Sequence, residues 1–403
     1  MTTSTRSGHE VGPSRVRRHD IDLVRILAVL LLIPFHTARI FNLEEAGVAE
    51  PFYAKSEALS WPLSHFIAFV APWHMPLLFA VAGAATWFAL GFRSGRQYAA
   101  ERFKRLLIPL IFGVLVIVPP QAFFGAISNH NYDGSFLGYW PHFFADESDM
   151  TGYAGGFTPA HLWFILYLFV LSTLGLALLL YFRRESGARL VSRVANFCRR
   201  PGAIFLFAFP LFLADFLAGD MDPNALWYFL FFLSGYLMVA DIRFQDAVDR
   251  HKGIALLLGI AGAGILNGVF ASGVDLGGDF APQGLGFRLV ENLDGWVWII
   301  AILGYGRQFL NVNNRVLRYA NEAAYPFYIL HQTVIVAIGF YVLKWGIGVP
   351  GSFVVIAMAS LVATLAIYEL IVKRVAVLRF LFGMKQKPAP RGVVQREAVV
   401  VAV

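Results

Sequence analysis

The chain has 403 residues, of which 58% are apolar and only 15% charged, and its formal net charge is +7. With a mean hydropathy of +0.61, this composition excludes a soluble protein of such length and predicts an all-α, polytopic transmembrane helix bundle. The single cysteine, Cys198, excludes an intramolecular disulfide. The basic residues follow the ends of apolar stretches and form no patch, so we expect no nucleic-acid partner.

Ten apolar stretches are candidates for membrane-spanning helices. They cover about 21–42, 62–91, 106–127, 160–182, 203–219, 224–240, 253–272, 287–305, 323–343 and 350–372. The polar N-terminus is too long for the n-region of a signal peptide and no small-residue cleavage site follows, so the first stretch is predicted to be retained. We therefore predict a disordered cytoplasmic tail over 1–19, one ten-helix membrane domain over 20–374 and a basic cytoplasmic tail over 375–403.

The distribution of lysine and arginine predicts the orientation. If the N-terminus is cytoplasmic, most of the 33 basic residues fall in cytoplasmic segments, whereas the outer loops are acidic and polar. This asymmetry predicts a multi-pass protein of the inner membrane with both termini in the cytoplasm. The longest outer loop, about 128–159, mixes aromatic, amide and glycine residues, which suits a sugar-binding surface and, as the simpler interpretation, an interfacial aromatic belt.

Two ionisable residues lie within the first predicted span, Arg25 and His36 in DLVRILAVLLLIPFHTARIFN. Burying such groups in a membrane is costly, so each predicts a function. Eleven residues return almost to the same helix face and rise roughly 16 Å. Arg25 can hold an anion, and His36 can move a proton near neutral pH. Alternatively, Arg25 pairs with Asp22 and anchors the helix end, while His36 is a satisfied polar residue of the bundle.

Several motifs resemble the integral-membrane acyltransferase 3 family. DLVRILAVLLLIPFH resembles its opening motif, in which a histidine follows an arginine after ten residues. PWHMPLLFAVAGAATWF, RFKRLLIPLIFG and YPFYILHQTVIV are similar to its second, third and ninth helices, and the likeness extends over about 19–374. HLWFILYLFVLS is similar to the fourth helix of a branch associated with succinylation of periplasmic glucans. The pattern of the O-antigen-acetylating branch is replaced by Leu166, Tyr167 and Leu168.

The resemblance implies an O-acyltransferase that moves an acetyl- or succinyl-type group from cytoplasmic acyl-coenzyme A to a hydroxyl of an envelope or periplasmic carbohydrate. His36 suits the base for that hydroxyl, or a transient acyl carrier. Arg25 suits the thioester region or a succinyl carboxylate. Arg102 and Arg105 suit the coenzyme A phosphates, although positive-inside charge explains them as well. Acyl-coenzyme A is then a co-substrate and membrane lipid a partner, with no bound cofactor or metal.

Five further residues are candidates for lining a substrate cavity: His74, His161, Trp163, Tyr328 and His331. A structural polar contact between helices explains each of these histidines equally well. His65 and His74 are nine residues apart and so lie on opposite helix faces, which means that they cannot both face one site.

Other functions stay open from the sequence. It contains no Walker-type glycine loop, Ser-x-Gly nucleophile elbow or His-Glu-x-x-His metal motif. The glycine-rich stretch 259–268 predicts close helix packing, and Glu369 with Lys373 predicts an ion pair at a helix end. A transporter or channel for an acidic or sugar-linked solute is the main alternative. A structural or regulatory subunit of an envelope-polysaccharide complex is a third possibility, and cleavage of acyl-coenzyme A by the purified protein would separate the three.

Overall fold

The fold is built from helices. The computed structural model describes residues 18–43, 54–145, 156–218, 224–277 and 281–385, so most of both predicted tails lies outside the described residues. All elements of this part of the chain are helical, as the composition predicts. The α-helical elements are α1 (His19–Arg39), α2 (Trp61–Leu90), α3 (Gly95–Asn129), α4 (Phe136–Phe143), α5 (Trp163–Leu174), α6 (Leu176–Tyr181), α7 (Glu185–Phe197), α8 (Ala208–Ala218), α9 (Ala225–Met238), α10 (Ile242–Ser272), α11 (Pro282–Phe309), α12 (Arg315–Val342), α13 (Gly348–Ile367) and α14 (Ala376–Leu381).

Six helical segments are long and apolar enough to cross a membrane: α1, α2, α3, α10, α12 continued to Trp345 and α13 continued to Val372. Shorter apolar helices at Ala160–Leu174, Ala203–Ala218 and Ala225–Met238 occupy the predicted fourth, fifth and sixth spans. The predicted eighth span corresponds to α11, which carries the charged residues Arg288, Glu291 and Asp294 along its length. A helical membrane bundle therefore fits the chain, while the count of ten spans and the orientation stay predictions.

Two helices begin well before the apolar stretch that predicts them. α10 starts at Ile242 rather than 253, and α12 at Arg315 rather than 323. Hydropathy detects only the apolar part of a helix, whereas side-chain caps fix where the helix begins. Asp241 Oδ1 accepts a hydrogen bond from the Arg243 amide at 3.0 Å, and Asn314 Oδ1 accepts one from the Leu317 amide at 2.7 Å.

Glycines bring helices into close contact. A Cβ atom on Gly83 of α2 would lie 1.8 Å from the carbonyl oxygen of Phe232 on α9, so only glycine fits there. In the stretch 259–268, a Cβ on Gly259 or Gly262 would come within 3.0 Å of a side chain of α11. These two glycines confirm the predicted packing. Gly264, in contrast, has nothing within 4 Å of a Cβ atom and plays no such part.

Candidate active site

The site is organised by α1 and α12, which lie side by side and run in the same direction. Arg25 contacts Asn321 near the first turns of both helices, and His36 contacts His331 much further along them. Counted from the helix starts at about 1.5 Å per residue, the first contact lies about 9 Å in and the second about 25 Å in. The two helices therefore meet through polar side chains at two levels of the bundle.

The lower level is a hydrogen-bonded guanidinium. Arg25 Nη2 donates to Asn321 Oδ1 at 2.5 Å and to Asp22 Oδ1 at 3.3 Å. The pair with Asp22 is the helix-end contact expected from the i,i+3 spacing. The bond to Asn321 also holds the guanidinium against α12. The Arg25 side chain is 36% exposed, so the residue is only partly enclosed by the bundle.

The upper level is a cluster of three imidazoles. The ring centroid of His331 lies 5.1 Å from that of His36 and 5.2 Å from that of His161. His161 stands in the 3-10 turn Ala160–Leu162 that leads into α5. His161 and His331 are buried, with 6% and 0% of their surface exposed, and His36 is half-buried. Two of the five sequence candidates thus join His36 in one cluster.

Backbone carbonyls determine which ring nitrogens carry hydrogen. A carbonyl oxygen only accepts, so His331 Nδ1 donates to Tyr328 O at 2.6 Å and His161 Nε2 donates to Ile329 O at 3.0 Å. In the neutral rings, His331 Nε2 and His161 Nδ1 keep lone pairs. His161 Nδ1 accepts from Gln121 Nε2 at 3.3 Å. His331 Nε2 is buried without a hydrogen-bond partner among the described residues, so its lone pair is available to a substrate.

Gln121 and Thr333 fasten the cluster to α3. Gln121 Nε2 donates to Thr333 Oγ1 at 2.7 Å, and Thr333 Oγ1 donates to Ile117 O at 2.7 Å. The Tyr328 hydroxyl donates to the carbonyl oxygen of His161. These bonds orient His161 and its neighbours. Gln121 was missed by the sequence analysis, although an amide in an otherwise apolar span was a usable signal.

The backbone before His161 is strained. Ala160 has a φ of 44°, in the left-handed region that residues with a Cβ atom seldom adopt. Its amide donates to Thr158 Oγ1 at 3.1 Å, and the residue is fully buried. Strained residues of this kind persist where the surroundings enforce them, and they cluster at functional sites. Here the strained turn sets the position of the His161 ring.

The remaining candidates have other surroundings. His74 is buried, and its Nε2 donates to Ala28 O at 2.7 Å, which ties α2 to α1. The Trp163 ring packs against Tyr228 of α9, with centroids 5.0 Å apart, and so belongs to an aromatic wall beside the cluster. His65 interacts with Asn267 at 2.8 Å.

Arg102 and Arg105 lie where α3 changes its winding, at the π turn Phe103–Leu107. π turns are frequent at functional sites because they redirect side chains. Arg105 Nε is 3.1 Å from a carboxylate oxygen of Glu101, whereas the Arg102 guanidinium lies 4.6 Å from the centroid of the Tyr98 ring. Arg102 Nε is buried without a hydrogen-bond partner among the described residues. Arg102 thus has capacity for a ligand.

A polar stripe on α12 connects the two levels. Asn321, Tyr325, Tyr328 and Gln332 are spaced by four, three and four residues and so share one helix face. Asn321 Nδ2, the Tyr325 hydroxyl and Gln332 Oε1 are buried without hydrogen-bond partners among the described residues. Unpaired buried polar atoms are costly and rare in proteins. Three such atoms lie along one stripe between Arg25 and His36, and each could hydrogen-bond a polar ligand. Of these four residues, only Tyr328 is a candidate predicted from the sequence.

A membrane bundle with a cation near one end, paired histidines deeper in and a polar stripe between them has the parts of a transferase whose two substrates meet inside the protein. Residues 18–369 match the acyltransferase 3 family, described as an acyltransferase domain. The chain belongs to this family and is therefore an acyltransferase, which confirms the predicted resemblance and weighs against the transporter and structural alternatives.

Several curated relatives carry the name Glucans biosynthesis protein C. Those from Salmonella schwarzengrund (strain CVM19633), Salmonella agona (strain SL483) and Salmonella typhi are each 21% identical over 386 residues, which is 92% of this chain and 95% of the relative. No solved structure matches the chain significantly. The similarity to this protein agrees with the fourth-helix motif in the sequence.

Proposed function

We propose that the chain transfers an acetyl- or succinyl-type acyl group from acyl-coenzyme A in the cytoplasm to a hydroxyl of a carbohydrate beyond the membrane. The single observation that carries the proposal is the polar stripe of α12, which runs from Arg25 to the histidine cluster and whose buried polar atoms lack hydrogen-bond partners in the described part of the chain. The family supports acyl transfer. The carbohydrate acceptor rests on relatives that are named for glucan biosynthesis.

The donor would lie along this stripe. Acyl-coenzyme A carries phosphates at one end and a thioester at the other, joined by an arm that contains amide groups. Arg102 Nε offers a donor to a phosphate. Asn321 Nδ2 and the Tyr325 hydroxyl offer partners to amides of the arm. Asn321 and His331 are ten residues apart, so the stripe rises about 15 Å, which brings a thioester entering past Arg25 to the level of His36.

The histidine cluster would carry out the proton transfers. His36 takes the proton of the acceptor hydroxyl as the hydroxyl oxygen attacks the thioester carbonyl carbon. The new C–O bond forms, the C–S bond breaks, and the departing thiolate receives the proton, so that ester and free coenzyme A result. The His331 ring packs against His36 and positions it, and His161 holds His331 from the other side. Positioning of this kind fixes the ring that reacts.

The guanidinium of Arg25 would orient the donor. Asp22 and Asn321 hold it in place, and it can bind a carbonyl or phosphate oxygen of the donor while the thioester lies deeper, at the level of His36. Because an arginine fork makes two parallel hydrogen bonds, it fixes orientation as well as charge. A lysine at this position would keep the charge and lose that geometry.

The test uses the full chain in lipid nanodiscs, supplied with acyl-coenzyme A and a purified periplasmic glucan. We expect free coenzyme A to appear in step with ester groups on the glucan, the first measured with a thiol reagent and the second by mass spectrometry. His36→Ala should abolish both, while His65→Ala, a matched histidine outside the cluster, should retain them. After reconstitution into sealed vesicles, movement of glucan across the bilayer without ester formation would contradict the proposal and favour a transporter.

A further inference from the structure

The helix α7 presents three different faces. It connects the predicted fourth and fifth spans on the predicted cytoplasmic side, and its ends lie within a few residues of α6 and of the 3-10 turn Ala203–Phe207. Its position is therefore at the level where the bundle meets the membrane surface. Gly187, Val191 and Ala195 form the buried face. A Cβ on Gly187 would lie 2.0 Å from the carbonyl oxygen of Tyr181, so α7 packs directly on the end of α6.

A second face of α7 is apolar yet exposed. Leu190, Val194 and Phe197 are spaced by four and three residues and share one side of the helix. Leu190 is 41% and Phe197 40% exposed, whereas Val194 between them is half-buried and packs partly against the core. Isolated exposed apolar residues are ordinary, but a stripe along a helix at the membrane boundary is typical of helices that lie in the interface.

The third face is basic and adjoins the apolar one. Arg189 and Arg193 are spaced by four residues, and at about 100° per residue their side lies roughly 90° around from the stripe of Leu190, whereas Arg200 follows in the turn after the helix. All three are exposed. Arg189 pairs with Glu185 at 2.5 Å, and the Arg200 guanidinium lies 5.6 Å from the centroid of the Phe197 ring. Basic and apolar surface thus meet at the C-terminal end of the helix.

Two arginines of α10 hold α7 in this orientation. Arg243 donates to Ser192 Oγ at 2.8 Å and to Asn196 Oδ1 at 2.6 Å, and Arg250 donates to Arg199 O at 2.8 Å. Ser192 and Asn196 lie on the side of α7 away from the apolar stripe. The faces are therefore fixed relative to the bundle, so the apolar stripe and the basic side are directed together.

We propose that α7 is a binding surface for anionic phospholipid of the cytoplasmic leaflet. The stripe of Leu190, Val194 and Phe197 would contact acyl chains, and Arg193 and Arg200 would bind headgroup phosphates. A soluble phosphate compound would satisfy the arginines and leave the apolar stripe in water, so the adjoining faces favour a lipid. The inference concerns a surface away from the histidine cluster and does not depend on the reaction proposed above.

The test is native mass spectrometry of the full chain with an equimolar mixture of phosphatidylglycerol and phosphatidylcholine. We expect wild type to retain phosphatidylglycerol preferentially. Because each arginine near an anionic surface contributes about 1 kcal/mol, Arg193→Gln with Arg200→Gln should weaken retention by roughly fivefold or more per arginine. Leu190→Ser with Phe197→Ser should also weaken it. Arg315→Gln removes one exposed charge from the first turn of α12, also on the predicted cytoplasmic side, and serves as the control.

Three results would overturn the inference. The first is phosphatidylglycerol retention that falls as much in Arg315→Gln as in the α7 variants, since general positive charge would then explain it. The second is displacement of the lipid by millimolar inorganic phosphate, which would indicate a simple anion site. Equal retention of both lipids by wild type would also contradict it and would leave a protein partner as the occupant of the stripe. Thermal denaturation of each variant checks folding, and we expect it unchanged because the substituted side chains are exposed.

Discussion

The imidazole rings of His36 and His331 lie 5.1 Å apart although they belong to the first and ninth predicted spans. This contact follows from the parallel packing of α1 and α12, in which each helix carries its histidine about 25 Å from its start. Since His331 Nδ1 is held by the Tyr328 carbonyl oxygen, the remaining lone pair of His331 is fixed in the protein. His36 can therefore act as the reactive ring, and His331 as the ring that positions it.

Removing His36 and removing His331 should have different effects on catalysis. His36→Ala should abolish acyl transfer, because general base catalysis contributes about 10²- to 10⁴-fold. His331→Ala should lower kcat while leaving the KM for acyl-coenzyme A within about threefold, since His331 is assigned to positioning. His331→Gln, which can still accept a hydrogen bond, should recover part of the rate. Coenzyme A release by purified variants at equal concentration measures this, and full activity of His36→Ala would remove the assignment of the base.

The contact between Arg25 and Asn321 should be visible as energetic coupling. Arg25→Lys should impair transfer severely, because an ammonium keeps the charge without the planar fork. Asn321→Ala should weaken donor binding moderately. In the double variant we expect a coupling of about 1.5–3 kcal/mol in kcat/KM, as for a hydrogen bond to a charged group. Strict additivity of the two single effects would show that Asn321 does not act through Arg25.

Arg102 should act on donor binding alone. Arg102→Ala should raise the KM for acyl-coenzyme A by about tenfold, the cost of one charge-assisted hydrogen bond, with little change in kcat. Tyr325→Phe removes one hydroxyl from the same path and should shift KM in the same direction. Arg96→Ala is a suitable control, because Arg96 is exposed on the same helix. If desulfo-coenzyme A protects wild type and Arg102→Ala equally against heat, Arg102 does not bind the donor.

Relieving the strain at Ala160 should stabilise the protein. A left-handed conformation costs a residue with a Cβ about 1–2 kcal/mol, whereas glycine adds about 0.5–1 kcal/mol of chain entropy to the unfolded state. Ala160→Gly should therefore raise the thermal midpoint slightly and retain activity. Ala160→Val should lower both, because a β-branched residue is poorly accommodated at positive φ. Thermal denaturation in detergent measures the midpoint, and a large loss in Ala160→Gly would show that the Ala160 methyl group contributes more than its strain costs.

The sequence predicts the helical class and the family because both depend on local signals. Apolar length predicts membrane helices, and the spacing from Arg25 to His36 predicts a shared face. The sequence does not predict which distant helix packs against the face of α1 that carries Arg25 and His36. The pairing of Arg25 with Asn321 depends on the packing of α12, and Asn321 lies before the apolar stretch by which hydropathy detects that helix. Gln121 was missed for a related reason, since one amide has no periodicity and acquires its role only through Thr333 and His161.

The orientation of the chain can be tested without removing its cysteine. Cys198 is fully buried, and this burial raises the pKa of its thiol to about 11. Maleimides react with the thiolate, which is scarce at neutral pH for such a group, so Cys198 should label on neither side of the membrane. Any labelling of a variant with an added exposed cysteine therefore comes from the added cysteine.

Two such variants test the orientation. With a membrane-impermeant maleimide on intact cells, Asp133→Cys, in the predicted outer loop, should label directly. Ser186→Cys, on the exposed side of α7, should label only after permeabilisation. The reverse pattern would place both termini outside, and it would also place α7 at the outer leaflet.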